Sequence, residues 1–304
     1  MRFNYEEITF FEFKEKYVTE SDCRDKLFKM KWPDGYVCPK CGHKEYYSIK
    51  KRHLYQCKKC RYQASVTSGT IMHRSRTPLV KWFWAIYLVS TDKRGVSALG
   101  LSKQLSLYYK VAWLMLHKIR KAMMDRDNKY KLKWVVEMDE TFIGSPSKGN
   151  KKRGRGSDKS KVIVSVSTKN DSVYFVKMDV VDKVDTGNIK RIISEKVENN
   201  QIIKTDGWRA YNIANNLGHE HNVINIKESG QKAHEIFKWV HIVASNVKSF
   251  IDGTLHGLDE KHLQSYLAEF CYRFNRRFWE NQLFDRLLFA SIISKGVTYD
   301  VLKG

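Results

Sequence analysis

Two aspartates set among apolar, β-branched neighbours are the residues in this chain with most to explain. Asp139 lies within Lys133–Gly144, Lys-Trp-Val-Val-Glu-Met-Asp-Glu-Thr-Phe-Ile-Gly. So short an apolar run, rich in β-branched and aromatic residues, reads as a strand. Asp206 closes a second such run, Ile202-Ile203-Lys204-Thr205-Asp206, ahead of Gly207-Trp208. A carboxylate in a buried strand is costly unless something pairs with it or binds it. Hard divalent cations such as Mg²⁺ take oxygen ligands, and two strands each delivering one Asp are what a metal-dependent phosphoryl-transfer site needs. Glu137 and Glu140 flank Asp139 and are expected on the opposite face of the sheet, as surface or capping residues.

A second donor set is sulfur. Cys38-Pro39-Lys40-Cys41 and Cys57-Lys58-Lys59-Cys60 stand fifteen residues apart, a spacing that fits the two knuckles of a four-cysteine zinc ribbon. A Zn²⁺ held by Cys38, Cys41, Cys57 and Cys60 would stabilise a segment too small to build its own core. His43 and His53 lie close by, but four thiolates already satisfy the ion. Cys23 stands alone and reads as a small buried apolar residue.

Lys plus Arg number 55 against 33 acids, a formal net charge of +22 over 304 residues. That excess favours a polyanionic partner, with nucleic acid ahead of a membrane surface. No apolar run reaches the roughly 20 residues that span a bilayer, and the opening residues lack the apolar stretch of a signal peptide. A cytoplasmic protein with reduced thiols is the expectation.

The elements that must position these groups follow in order. Residues 1–35 form a helical lead-in with Phe10, Phe11, Phe13, Leu27, Phe28 and Met30 as its apolar residues. Residues 36–68 make the ribbon. Residues 77–127 are helical, with Pro78 at a helix start and two helices, Ser97–Leu105 and Lys110–Met124, split by a four-residue turn. That pattern resembles a helix-turn-helix, and Lys110, Lys118 and Arg120 on the longer helix are its expected DNA contacts. Between 130 and 280 the period switches to that of strands. Lys133–Ile143, Lys161–Thr168 and Ser172–Val181 make an antiparallel meander. A helix, the strand ending at Asp206, another helix and a short strand near Asn222–Ile226 follow, so the sheet is mixed and the class α/β. Ser145–Lys161 carries Lys148, Lys151, Lys152, Arg153 and Arg155 among Gly and Ser, a basic loop suited to a phosphate backbone. Helices at Ser245–Gly257 and Lys261–Phe278 complete that domain, and 281–304 is a C-terminal helix.

Several blocks in this order resemble the insertion-sequence transposases that carry an N-terminal zinc ribbon, the ISXO2-like transposase family. They are the four-cysteine ribbon, the helix-turn-helix, Glu-Met-Asp-Glu-Thr-Phe-Ile-Gly, Lys-Thr-Asp-Gly-Trp-Arg-Ala-Tyr, Val-His-Ile-Val-Ala-Ser-Asn-Val-Lys, and Lys-His-Leu-Gln-Ser-Tyr-Leu-Ala-Glu-Phe-Cys-Tyr-Arg-Phe-Asn-Arg-Arg. The resemblance implies an RNase-H-like catalytic domain and a DNA transposase that binds the ends of an insertion sequence, cleaves DNA and transfers strands. It places the first two catalytic acids on Asp139 and Asp206. The third position, commonly Glu, falls on Asn246, as in an Asp-Asp-Asn branch, with Lys248 as its following basic residue. The implied cofactors are Mg²⁺ (or Mn²⁺), held by Asp139, Asp206 and Asn246, and Zn²⁺. The implied partners are double-stranded DNA, as terminal inverted repeats and target, and a second copy of the chain in a homodimer or larger synaptic assembly.

Two other readings stay open at this stage: a non-catalytic DNA-binding regulator derived from a transposase, and a metal nuclease that cuts without joining. Glu269 is the substitute third acid, His241 and His262 read as structural histidines, Asp179 and Asp182 as turn residues, and Trp208 as a core aromatic able to stack on a frayed base.

Overall fold

The computed structural model describes residues 5–144, 159–225, 228, 230, 232–255 and 258–303. They fall into two compact units, one of residues 1–125 with 278–304 and one of residues 126–277. Among the described residues no helix is long and apolar enough to cross a membrane.

The first unit opens with α1 (Phe10–Lys16) and α2 (Glu20–Lys31), each started by a capping box, Thr9 with Glu12 and Thr19 with Asp22. The reciprocal bonds satisfy amides that a helix start leaves bare. Cys23 is fully buried on α2, as expected. The ribbon follows as β1 (Tyr46–Ile49), β2 (Leu54–Cys57) and β3 (Gln63–Ala64), an antiparallel sheet in that order. Phe28, Trp32, Tyr36, Tyr46 and Tyr55 form an aromatic cluster with it, their rings meeting edge-on or tilted. The Lys31 ammonium donates to the carbonyls of Ser65, Val66 and Ser68 at 3.1, 3.2 and 2.6 Å, tying the end of α2 to the ribbon's exit. Beyond it come α3 (Leu79–Thr91), with Pro78 at its N-cap and Trp82, Phe83, Ile86, Tyr87 and Val89 buried, α4 (Ala98–Gln104) and α5 (Tyr109–Asp127). α9 (Leu283–Ile293) packs on α3, and a short helix, Tyr299–Lys303, follows it, so the expected helix over 281–304 is broken in two.

The second unit is built on β4 (Val135–Ile143), β5 (Ser160–Lys169), β6 (Ser172–Val181), β7 (Ile202–Thr205) and β8 (Glu220–Val223) in the spatial order β6-β5-β4-β7-β8. β4, β5 and β6 are the antiparallel meander, and β7 and β8 lie parallel to β4. Asn170 and Asp171 turn β5 into β6 at φ +51° and +53°, left-handed values that Asn and Asp tolerate. β5, between β6 and β4, is buried on both faces. Val162, Val164 and Val166 join a core under α7 (Lys238–Thr254) and α8 (Leu263–Phe274), while Ile163 joins Val136, Met138 and Ile203 under α6 (Thr186–Lys196). This three-antiparallel, two-parallel sheet with helices on both faces is the RNase-H-like arrangement.

Side chains of α8 and the residues after it close the edge strand β6, whose free backbone groups would otherwise invite pairing. Gln264 accepts the Val180 N–H at 2.8 Å and donates to the Met178 carbonyl at 2.9 Å. Asn275 does the same for both groups of Val176, at 2.8 and 3.0 Å. Asn275 also donates to Asp127 at 3.0 Å, and Arg276 pairs with that carboxylate at 2.7 Å in a buried site. Lys177 donates to the Asp127 carbonyl at 3.0 Å. Asp179, expected in a turn, is instead buried inside β6 with Lys196 at 3.8 Å.

Removing one member of a buried, hydrogen-bonded ion pair leaves the other uncompensated. Asp127→Ala should therefore cost about 3–5 kcal/mol in urea unfolding, whereas Lys93→Ala, which breaks an exposed pair with Glu280, should cost under about 1 kcal/mol. Burial pushes the Lys177 ammonium down to about 8 from 10.5. The unfolded chain binds more protons in that window, so stability rises with pH across it. Urea midpoints at pH 8 and pH 10 should show that share of the slope vanish in Lys177→Met.

Candidate active site and metal-binding groups

The register of the two central strands decides where the acids meet. Val135, Val136 and Glu137 of β4 lie opposite Ile202, Ile203 and Lys204 of parallel β7. Asp139 and Asp206 each lie two residues past the last registered pair, Glu137 opposite Lys204, on these parallel neighbours. Val136, Met138 and Ile203 point into the core under α6, so by the two-residue alternation of a strand both acids belong to the other face. Asp139 accepts the Glu140 N–H at 2.8 Å, and Asp206, one residue past β7, accepts the Trp208 N–H at 3.1 Å.

Facing Asp139 is a cavity of about 390 Å³ whose wall includes Phe142 from β4 and His241, Ala244, Ser245 and Lys248 from α7. Residues 241, 245 and 248 are one stripe, spaced by four and three along the helix. α7 starts at Lys238, seven residues before the expected Ser245, and so includes His241. Asn246 is exposed and is not on the cavity wall; it is rotated by about 100° from Ser245. The structure thus sets Lys248 and His241 beside Asp139, and turns Asn246 away.

Other acids sort themselves by face. Glu137 was expected opposite Asp139, but a residue two positions earlier in a strand shares its face. It is 5 % exposed with Lys204 at 3.4 Å. Burial raises its pKa against the opposing pull of Lys204. Glu269, the substitute third acid, is buried on α8 with Arg273 at 3.6 Å and is not on the cavity wall. Trp208 is 38 % exposed, its indole N–H donating to the Val184 carbonyl at 3.4 Å.

The four ribbon cysteines come together, their sulfurs all within 4.8 Å of one another. Cys38 and Cys60 are 3.6 Å apart, as are Cys41 and Cys57. That is far beyond a disulfide bond and near the edge of a tetrahedron with Zn–S about 2.3 Å. Each knuckle turns through a left-handed residue, Gly42 at φ +73° and Arg61 at φ +60°. Burial pushes the Cys38 thiol up, but the backbone N–H groups of Lys40 and Cys41 prevail and bring it down to about 6, which favours the thiolate that a metal needs.

In the helical pair, Ser97 caps α4 by accepting the Gly100 N–H at 3.0 Å. Tyr108 is 87 % exposed ahead of α5, and Tyr109 and Lys110 at its start are exposed too. Lys118 and Arg120 are corrected: both are buried, because α5 is enclosed all round from Met115 to Arg120, and neither side chain is open to a phosphate. Lys148, Lys151, Lys152, Arg153 and Arg155 lie outside the described residues.

Comparison with known proteins agrees with the two parts of the chain. Residues 18–63 match the transposase zinc-ribbon domain and residues 131–275 the ISXO2-like transposase domain. An uncharacterized protein in transposable element ISH50 of Halobacterium salinarum is 24% identical over 212 residues, 64% of this chain and 70% of that protein. Among solved structures, the Mos1 mariner paired end complex with Mn is 12% identical, with a TM-score of 0.26 over 68% of this chain and 78% of that one. The Mos1 transposase paired-end complex with left transposon end scores 0.23 at 12% identity, over 64% and 76%. The fold assignment rests on the strand order above.

If the thiolates hold one ion, Cys57→Ser should abolish stoichiometric zinc, read by metal analysis of the purified chain, and Cys23→Ser should leave it at one per chain.

Proposed function

From a chain that carries a transposase zinc-ribbon domain and an ISXO2-like transposase domain, we propose a DNA transposase that binds the ends of an insertion sequence and carries out divalent-metal-dependent strand cleavage and strand transfer. The observation that supports it is the register of β4 and β7, parallel neighbours that carry Asp139 and Asp206 each two residues past their last registered pair, with Asp139 on the wall of a cavity that His241 and Lys248 also line.

The donor set fits Mg²⁺ or Mn²⁺. Asp139 and Asp206 supply hard oxygen ligands. His241 takes the third position in place of Asn246, because the helix turns it toward Asp139. When bound, two such ions activate the attacking oxygen and stabilise the leaving one in an in-line displacement at phosphorus. With a neutral imidazole the protein donates two formal charges, so phosphate oxygens of the DNA complete the coordination. Imidazole also suits transition metals better than Mg²⁺, which shifts the preference toward Mn²⁺. Lys248, one helical stripe along, neutralises the scissile phosphate or positions the strand.

DNA is gripped away from the site as well. The exposed Tyr108, Tyr109 and Lys110 open the second helix of the helix-turn-helix, the end that enters a major groove in such motifs. The ribbon adds Lys44, Lys50, Lys51, Arg52, Lys58, Lys59 and Arg61, and the basic loop adds Lys148, Lys151, Lys152, Arg153 and Arg155. Strand transfer needs two ends held together, so a homodimer or larger assembly is part of the proposal.

The test is incubation with linear DNA carrying the element's ends, with Mg²⁺, Mn²⁺ or EDTA. Cleavage should need the metal, vanish in Asp139→Asn and Asp206→Asn, and fall about 10²-fold in His241→Ala, with Asn246→Ala close to wild type. A neutral His241→Ala beside a dead Asn246→Ala would overturn the third-ligand assignment. Cleavage without joined product would make the protein a nuclease, and end binding without cleavage a regulator.

A further inference from the structure

We propose that Glu137 and Lys204 are positioning residues that set the start of α7, and through it the placement of His241 and Lys248 over Asp139. This rests on the transposase reading and extends it to a pair behind the proposed metal ligands.

α7 begins without a cap of its own. Its N-cap is Phe237, which makes no side-chain cap hydrogen bond. The first turn, Lys238-Trp239-Val240-His241, has no Ser, Thr, Asp or Asn. The first amides of a helix need acceptors from elsewhere. The buried Glu137 carboxylate lies near, and is influenced by, the backbone amides of Val240 and Trp239, at N3 and N2, the two amides that an ordinary N-cap side chain serves. The approach is loose, since Oε2 has no partner at close hydrogen-bond distance among the described residues. The favourable field of a helix N-terminus on an anion does not need a tight bond.

Lys204 grips the other side of the same point. Its ammonium donates to the Ile236 carbonyl at 2.7 Å, reaches Glu137 at 3.4 Å, and sits 5.4 Å from the centre of the Phe237 ring. The carbonyl just before the helix and the amides just inside it thus face one ion pair. That pair is also a register pair, Glu137 of β4 opposite Lys204 of β7. Each member stands two residues before one of the acids, Glu137 before Asp139 within β4 and Lys204 before Asp206 just past β7. The sheet that spaces Asp139 from Asp206 therefore also anchors the helix that brings His241, the residue next after the capped amides. Lys204 offsets the charge of Glu137, so this third acid on the face adds little to the field around the other two.

The experiment compares wild type with Glu137→Ala and Glu137→Gln in the full chain, with circular dichroism confirming the fold. Glutamine keeps an oxygen that accepts N–H bonds and alanine does not. Amide hydrogen exchange across 238–242, without metal or DNA, should quicken in Glu137→Ala and stay near wild type in Glu137→Gln. The Mn²⁺ concentration for half-maximal cleavage should rise about ten- to a hundredfold in Glu137→Ala, the usual effect of removing a residue that orients a ligand, and only a fewfold in Glu137→Gln. Wild-type exchange and wild-type metal dependence in Glu137→Ala would overturn the proposal. So would a Glu137→Gln as impaired as Glu137→Ala with its exchange unchanged, since Glu137 would then act on the metal itself. If the wild type cleaves nothing, the transposase reading fails. The exchange measurement then still decides whether Glu137 caps α7.

Discussion

The parallel register of β4 and β7 is the constraint on which this structure turns. It carries Asp139 and Asp206 along adjacent strands, each two residues past the last registered pair. The sheet is not free to slip out of that register. A shift of one residue would carry Val136, Met138 and Ile203 out of the core under α6. The acids are held together by the burial of their apolar neighbours, and a cation is the natural answer to the charge they concentrate.

The opposite wall of the site is a helix whose placement its own sequence does not secure. α7 is fixed by its apolar stripe, Val240, Val243, Val247 and Ile251, against Val162, Val164 and Val166 of the sheet, and at its start by groups borrowed from β4 and β7. Helix and sheet thus meet through an apolar seam and an ionic one. The polar residues of the α8 region have a structural role of another sort: Gln264 and Asn275 complete the hydrogen bonds of β6, so this block closes an edge and is not part of the cavity wall.

Much of this was readable in the residues. Four cysteines at ribbon spacing, the three-strand meander with bounds within a residue or two, and Pro78 ahead of an apolar helix all express local rules. The start of α7 was not readable. Val240, Ile242 and Val243 are β-branched, the first turn has no capping residue, and the charged pair beside it, Glu137 and Lys204, comes from strands far away in the chain. Starting the helix at Ser245 leaves His241 out of its phase, whereas the third ligand at Asn246 is what the family resemblance implies. The face of Glu137 was within reach, because the two-residue period alone places it with Asp139. The burial of Lys118 and Arg120 was not, since a basic helix looks the same in sequence whether it is free on one side or enclosed.

The central claim is that Asp139 and Asp206 share a metal site completed from α7. Anomalous diffraction from a crystal of the chain with a terminal DNA end and Mn²⁺ tests it most directly. The account predicts manganese peaks at about 2.1 Å from carboxylate oxygens of both aspartates, with the His241 imidazole as a further ligand. Manganese bound at only one of the two acids, or liganded by Asn246 with His241 turned away, would contradict it.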